Sequence, residues 1–294
     1  MEIVDRGYGK NNVRLFHVRR EGNVHYIKDV EVNTRLTLST IKDFVDGDNR
    51  DIIATDSQKN TVYVLAKEHG VRCIEIFAMQ LTKHFLNKYP HVSKAEISID
   101  QYNWRRIVEN GKEHNHAFIA SPESIRFCKV EQERYGPPRI TSGVKGLKVM
   151  KTTQSAFVDF VDDEFRTLPD MDDRIFCTVV SSHWKYNRST GVDFCKTWHK
   201  VKGEILDTFA GPADTGVFSP SVQQTLYLTE KRVLEKIPEI ESMDIELPNV
   251  HHYEADFSKF KRLNITRNDE VFIPTDKPSG NIQATMARKP ASKL

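Results

Sequence analysis

The strongest constraint on the fold of this chain is an internal repeat. The segment FLNKYPHV at 85–92 aligns with VLEKIPEI at 233–240, and the alignment continues without a gap from AEISI at 95–99 to MDIEL at 243–247. The offset of 148 residues is close to half of the chain. A fixed period of this length indicates a duplicated supersecondary unit. The sequence therefore predicts two similar halves.

Each copy of the repeat reads as an amphipathic helix that ends near a proline and leads into a strand. Proline cannot continue a helix, so Pro90 and Pro238 mark the two stops. A further helix in each half is predicted at 57–69 and 193–210, because apolar residues recur there and a glycine follows each. The apolar positions of the two repeated helices are Ile74, Phe77, Ala78, Leu81 and Phe85, and Val222, Leu226, Val233 and Ile237.

Strand patterns complete both halves. Residues 13–20 and 24–38 flank a short turn and predict a hairpin, and the second half offers strands at 147–153 and 174–184. Each half is then β-β-α-α-β-β in outline, an α+β unit whose antiparallel sheet carries helices on one face only. The other face and the open strand edges require cover, which indicates oligomerisation.

The composition excludes several function classes. A net charge of +2 predicts no nucleic-acid partner, and no run of apolar residues is long enough to predict a membrane span or a secretion signal. The four cysteines, at 73, 128, 177 and 195, lack a C-x-x-C spacing. They are interpreted as small buried side chains in a reducing compartment, without a disulfide framework or zinc site.

The chain ends in Ser292, Lys293 and Leu294. This tripeptide at the extreme C-terminus is a peroxisomal address that an import receptor reads. The sequence therefore predicts a peroxisomal protein, although the basic residues before it would also fit a plain disordered tail.

No common catalytic signature is present. The chain lacks a G-x-G-x-x-G, a G-K-[ST] loop, a G-x-S-x-G and an H-E-x-x-H. His114 and His116 could share one face of a strand, but no third convergent ligand is visible, so a metal site is not favoured. Nothing in the sequence requires a cofactor.

Six short segments carry the functional information, and together they resemble the urate oxidase (uricase) family in order and spacing along nearly the whole chain. The resemblance extends to Lys59-Asn60-Thr61 and to the terminal tripeptide. The six segments are Tyr8-Gly9-Lys10, Ala54-Thr55-Asp56-Ser57, Gln154-Ser155-Ala156-Phe157, Asp173-Arg174, Pro220-Ser221-Val222-Gln223 and Leu247-Pro248-Asn249-Val250-His251.

The resemblance implies a tandem duplicated tunnelling fold (T-fold), with sheets of several subunits joined into a barrel. It implies a homotetramer whose active sites lie between subunits, and oxidation of urate by O2 and water, without a cofactor, to 5-hydroxyisourate and hydrogen peroxide in purine catabolism. The halves would span 1–140 and 141–286, followed by a tail at 287–294.

The resemblance also implies a role for individual positions. Arg174 and Gln223 would grip the urate rim and Phe157 would stack on the ring, while Asp56 and Thr55 would contact the opposite edge from a neighbouring subunit. Lys10, Thr55 and His251 would form a proton relay. Asn249 would hold oxygen or water above the ring, and Leu168 and Val222 would line the remaining walls.

The chemistry of these residue types suits a planar anion. Arginine offers a rigid donor fork, glutamine offers a donor and an acceptor, and an aromatic face adds stacking. We place Thr55 just before a helix capped by Asp56 or Ser57, and Gln223 in the first turn of another, where free backbone amides favour an anion.

Each assignment has a structural alternative. Lys10 could be a solvated lysine, Phe157 a core residue and Arg174 a partner of Asp172 or Asp173. His252, beside His251, could face the site instead.

Two rival functions remain open. The first is a pterin-handling enzyme of the same fold, although such enzymes resemble one another in using a glutamate where this chain has Arg174 and Gln223. The second is a non-catalytic purine-binding or structural peroxisomal protein, which the joint presence of Lys10, Thr55 and His251 argues against.

Overall fold

The structure is a computed structural model that describes residues 1–263, 265 and 268–289. The terminal tripeptide Ser292-Lys293-Leu294 lies outside the described residues. Helices and antiparallel strands mix along the chain, so the α+β class is confirmed. The elements, in order, are β1 (Val13–Glu21), β2 (Val24–Leu38), α1 (Lys42–Val45), α2 (Thr55–His69), α3 (Ile74–Lys88), β3 (Val92–Glu109), β4 (Lys112–Glu133), β5 (Arg139–Lys151), β6 (Phe176–Tyr186), α4 (Phe194–Ala210), α5 (Val222–Lys236), β7 (Ile240–Pro248), β8 (His251–Glu254), a 3-10 turn (Lys261–Leu263), β9 (Phe272–Thr275) and β10 (Asn281–Ala287).

Contacts divide the chain into two compact units. Unit 1 comprises residues 1–145 with 183–199 and 239–241, and unit 2 comprises 146–182, 200–238 and 242–294. Strands β5, β6 and β7 and helix α4 each contribute residues to both units. The division into repeats at 1–140 and 141–286 stays a prediction.

Unit 1 is built on the antiparallel strands β1 to β5, which are neighbours in chain order. In β2, residues Val30, Val32, Leu36 and Leu38 alternate with more exposed positions, the period of a half-buried strand. Helix α3 packs against β3 and β4. One sheet face therefore holds the helical layer, as the sequence pattern predicts.

Unit 2 contains β6, β7 and β10 side by side, and β10 pairs antiparallel with β7. Helix α5 packs against β10. Strands β8 and β9 form a separate two-stranded sheet in which His251 is opposite Thr275. None of the helices in the described part of the chain combines the length and apolar character that crossing a membrane requires.

The predicted helices and the first hairpin are confirmed, with small differences at their ends. The largest difference is β5, which runs from Arg139 to Lys151 rather than over 147–153. The strand starts earlier because residues 139–145 pair with β4, a long-range partner that the local pattern does not reveal.

Two buried glutamates in the repeated helices are accommodated differently. Glu75 of α3 forms an ion pair with Arg126 of β4 at 2.6 Å, and both side chains are almost fully buried. Glu230 of α5 is buried with its Oε1 unpartnered among the described residues. Burial, with the nearby Asp244 carboxylate, raises the pKa of Glu230 to about 8, so this side chain is mainly uncharged near neutrality.

Candidate functional site

Lys10 lies in an extended segment that is fixed along β2. Tyr8 and Leu36 exchange two backbone hydrogen bonds, and the amide of Thr34 donates to the Lys10 carbonyl at 2.9 Å. The approach is so close that a Cβ on Gly9 would lie 1.6 Å from the Thr34 carbonyl oxygen. Only glycine fits there, so Gly9 sets the position of Lys10.

A buried hydrogen-bond network joins this segment to the start of α2. The Thr34 hydroxyl accepts from the Lys10 amide at 3.0 Å and donates to Oε1 of Gln58 at 2.7 Å. Gln58 in turn donates to the carbonyl of Ile53 at 3.1 Å, and the Ile53 amide donates to the Tyr8 hydroxyl at 2.9 Å. The structure thereby holds the segments of Lys10 and Thr55 in a fixed relation within unit 1.

Thr55 is the first residue of α2 rather than the residue before it, and the expected caps are wrong. The N-cap is Ala54, and no side chain caps the helix. Asp56 instead accepts from Lys59 at 2.6 Å and Asn60 at 3.0 Å. The hydrogen bond from Lys59, its charge, and to a lesser extent that of Lys10, lower the pKa of Asp56. The first-turn amides of α2 are left available to a ligand.

In unit 2, the segment of Phe157 is held by backbone bonds on two sides. Phe157 and Met171 exchange hydrogen bonds at 2.8 and 3.0 Å, and the Ala156 amide donates to the Ser219 carbonyl at 3.0 Å. The amide of Arg174 donates to the Ser155 carbonyl at 2.8 Å. Phe157 is half-buried, so it is not a core residue. Its ring stacks on Phe160 at 4.5 Å.

Arg174 lines a cavity of about 580 Å³ in unit 2, together with Leu168, Asn249 and His251. Its guanidinium lies 5.1 Å from the centre of the Phe157 ring, and its Nε is buried without a partner in the described structure. Burial lowers the pKa of Arg174, although arginine starts so far above neutrality that it stays charged. Within the described residues, no carboxylate forms an ion pair with it, since Asp173 instead accepts from the Thr153 hydroxyl at 2.6 Å.

His251 and Asn249 approach the cavity from the end of β7. The backbone amide of Asn249 donates to the Gly280 carbonyl at 2.8 Å. The side-chain amide of Asn249 does not take part in this bond. His251 is half-buried and stacks on Tyr253 at 5.7 Å. Burial, the Arg174 charge and His252 lower the pKa of His251, which favours the neutral form of its ring.

His252 lines the same cavity, but its Nδ1 is 3.1 Å from the Val250 carbonyl oxygen. One of its ring nitrogens is therefore engaged with the backbone. No described residue forms a hydrogen bond with the His251 ring, which favours His251 as the available histidine.

The structure does not bring every predicted residue into that cavity. Lys10, Thr55 and Asp56 belong to unit 1. Gln223 is exposed in the first turn of α5, as predicted, where Ser221 caps the helix, and it lines a different depression with Glu230 and Gln283. Val222 is buried.

His114 and His116 lie on β4 with ring centres 4.6 Å apart. The Nδ1 atom of His114 accepts the amides of His116 and Ala117 at 3.2 and 3.0 Å. Across the described ranges, no group of three His, Cys, Asp or Glu side chains is arranged to hold a metal ion.

Thr34 and Gln58 were not singled out by the sequence patterns, although they position Lys10. Both are polar residues on faces that the period assigns to the core, Thr34 between Val32 and Leu36 and Gln58 before Val62. A buried polar residue must find a partner, and that signal could have marked the pair.

Known proteins are similar to this chain along nearly its whole length, including the segments described above. The family model described as Uricase matches residues 6–131 and 140–283. Proteins named Uricase from Danio rerio and Oryctolagus cuniculus are 48% and 47% identical over 294 residues, which is 100% of this chain and 97% of each relative. A crystal structure of uricase from Arthrobacter globiformis superposes with a TM-score of 0.89 at 36% identity, over 98% of this chain and 96% of that one.

Matches to the family model and to full-length relatives thus coincide with the segments that hold Lys10, Thr55, Arg174 and His251. On this evidence the chain belongs to the uricase family.

Proposed function

We propose that this protein oxidises urate with O2 and water to 5-hydroxyisourate and hydrogen peroxide, in purine catabolism and without a cofactor. The observation that carries the proposal is the match to the uricase family, whose two stretches include every candidate site residue. In each unit, the segments that carry the candidate residues are also held in place by specific hydrogen bonds, as expected of residues that must contact a small ligand.

Urate recognition is assigned first to Arg174. A charged, half-buried guanidinium whose buried Nε has no partner among the described residues suits a planar anion with carbonyl oxygens at its rim. Phe157 offers a stacking face beside it, Gln223 a further rim contact, and Leu168 and Val222 apolar walls. Asp56 and the first amides of α2 contact the opposite edge.

Proton transfer is assigned to Lys10, Thr55 and His251. Reaction of an organic anion with O2 requires an electron-rich donor, and a second deprotonation of urate provides one. A threonine hydroxyl is too weak a base by itself, so a lysine and a neutral histidine are suitable partners. Asn249 would hold O2 or water above the ring.

We further propose a homotetramer in which a site receives Lys10, Thr55 and Asp56 from one subunit and Arg174 from another. Light scattering and an activity assay over a dilution series test this. Activity should fall as the tetramer dissociates. Full activity of a monomer would refute shared sites.

The cellular address is proposed to be the peroxisome, through Ser292, Lys293 and Leu294. A receptor-read tripeptide contributes nothing to folding, so its deletion should leave the activity intact and the protein in the cytosol. Fluorescence microscopy of the truncated chain checks this, and continued import would contradict it.

One assay separates the proposed function from its rivals. Urate is added to the purified protein after treatment with a metal chelator. The ultraviolet absorbance of urate and the release of hydrogen peroxide are followed together. We expect the urate absorbance to fall, and one hydrogen peroxide to appear for each urate consumed. Binding without turnover would favour a non-catalytic purine-binding protein, and turnover of pterins alone would favour the pterin-handling class.

A further inference from the structure

A cluster of two thiols with Arg126 and Glu75 lies in unit 1 and includes no residue assigned to the urate site. Cys73 and Cys195 are 122 positions apart in the sequence but share one guanidinium. The Nη1 atom of Arg126 is 3.5 Å from the Cys195 sulfur, and Nη2 is 3.9 Å from the Cys73 sulfur. Both cysteines are free thiols.

The two thiols differ in their surroundings. Cys73 is buried, and its sulfur lies 3.0 Å from Oε2 of Glu75, an oxygen that accepts from Arg126. Cys195 is half-buried and lies in the first turn of α4, where helix amides favour a negative sulfur. Cys73 is the N-cap of α3.

These contacts act on the thiols in opposite directions. The hydrogen bond from the Cys73 thiol to the Cys195 sulfur, with the Arg126 charge, lowers the pKa of Cys195, although the partial burial of Cys195 acts in the other direction. The same bond, burial and the Glu75 charge raise the pKa of Cys73. A more exposed thiolate beside a buried thiol is the arrangement of an attacking and a resolving cysteine.

We propose that Cys73 and Cys195 form a peroxide-reactive dithiol, in which Cys195 is oxidised first and Cys73 closes a disulfide. This inference does not rest on the proposed urate chemistry. The sequence pattern predicts four small buried cysteines without a disulfide framework, and under this proposal two of the four form a modification site.

The reaction balances with hydrogen peroxide as the oxidant. The Cys195 thiolate attacks one peroxide oxygen, the O–O bond breaks and hydroxide leaves, giving a sulfenic acid on Cys195. The Cys73 sulfur then attacks the Cys195 sulfur, the S–O bond breaks, and the departing hydroxide takes the proton of Cys73. The hydroxide released in the first step takes the proton that Cys195 lost on ionisation, so two thiols lose two electrons and one peroxide becomes two waters. Glu75 lies where it can accept the Cys73 proton and pass it to the departing hydroxide.

Cys128 and Cys177 are internal references, because both are buried and burial raises the pKa of each. The reduced full-length protein is treated with one equivalent of hydrogen peroxide, quenched with catalase and digested without reductant. We expect a joined peptide pair containing 73 and 195, two mass units lighter than the reduced pair, while Cys128 and Cys177 stay reduced. The Cys128→Ala variant is the matched control and should form the same pair.

The order of the steps is tested with a sulfenic-acid probe. In Cys73→Ser the probe should accumulate on Cys195, whereas in Cys195→Ser it should not accumulate on Cys73. The wild-type digest needs no variant, so a misfolded variant does not affect the main result. Equal oxidation of all four cysteines, or no 73–195 pair under conditions that oxidise other thiols, would overturn the proposal. Added peroxide supplies the oxidant, so the result is independent of urate turnover.

Discussion

The two units hold their candidate site segments in different ways. In unit 1, Lys10 is positioned through its backbone, which is bonded to Thr34, and Thr34 is bonded in turn to Gln58. In unit 2, the backbone is also fixed, but the side chains of Arg174 and His251 enter a cavity without hydrogen-bond partners among the described residues.

This difference predicts separate roles for the two segments in turnover and in ligand binding. A segment whose polar groups are satisfied internally can hold a side chain at a constant position, which suits proton transfer. A half-buried guanidinium whose buried Nε lacks a partner gains more from a ligand, because an unmade hydrogen bond at a buried atom is costly. Lys10 of unit 1 should therefore affect turnover most, and Arg174 of unit 2 should affect binding most.

The largest expected effect is on turnover in unit 1. Lys10→Met and Thr55→Ala should each lower kcat by about 10²–10⁴-fold, with little change in the binding of a urate analogue, since proton transfer acts in the transition state. Steady-state kinetics and analogue titration measure the two quantities. Lys67→Met, an exposed lysine in the last turn of α2, is the control.

The double variant sharpens this test. If Lys10 and Thr55 act as a unit, the double change should be little worse than the worse single change. Fully additive losses in kcat would show that they act independently, and a loss confined to binding would make them ligand contacts.

The second effect concerns binding in unit 2. Arg174→Ala should weaken urate-analogue binding by about 2–5 kcal/mol, the range for removing one partner of a buried charge pair. Arg174→Lys, which keeps the charge but loses the donor fork, should fall between the wild type and Arg174→Ala. Calorimetry on the folded variants gives the affinities. An unchanged affinity in Arg174→Ala would remove this residue from the site.

A smaller effect is expected from the Thr34 network. Thr34→Val keeps the shape of the side chain but removes the hydroxyl bonded to Lys10 and Gln58, and should lower the free energy of unfolding by about 1–3 kcal/mol. Urea unfolding measures this. Thr37→Val, on the same strand but half-buried, is the control and should cost less. Equal losses would show that the network does not differ from an ordinary strand contact.

The smallest effect is a pKa change in unit 2. Burial and the Arg174 charge lower the pKa of His251 from its ordinary value of 6.5. Below pH 6.5 the unfolded chain binds this proton more readily than the folded one, so the contribution of His251 to stability falls as the pH drops. Arg174→Gln should raise the pKa of His251. Histidine NMR titration checks this, and a change in the opposite direction would contradict the arrangement.

Much of the fold follows from sequence periodicity, because helices α3 and α5 carry their core stripes in full and end near prolines. The start of β5 did not follow, since residues 139–145 are extended by pairing with β4 rather than by their own pattern. The cap of α2 was misassigned because Asp56 bonds forward to Lys59 and Asn60. Local preference cannot decide between such competing partners.

The candidate site was predicted by resemblance more than by spacing. Lys10 and Arg174 have no local signature, and Thr34 and Gln58 become visible only when β2 and α2 are brought together. The pair of Cys73 and Cys195 was missed for the same reason, because no spacing rule relates residues on two different helices. Long-range contacts carry the chemistry in this chain.

The Phe157 ring has a consequence for the entropy of binding. Its amide and its carbonyl are both bonded to Met171 and its ring lies at 14° to Phe160, so these contacts orient the ring in the absence of a ligand. Phe160 also occupies one face of the ring. A flat ligand is therefore restricted to the remaining face, and its binding loses little side-chain freedom at this position, since the ordering occurred when the chain folded.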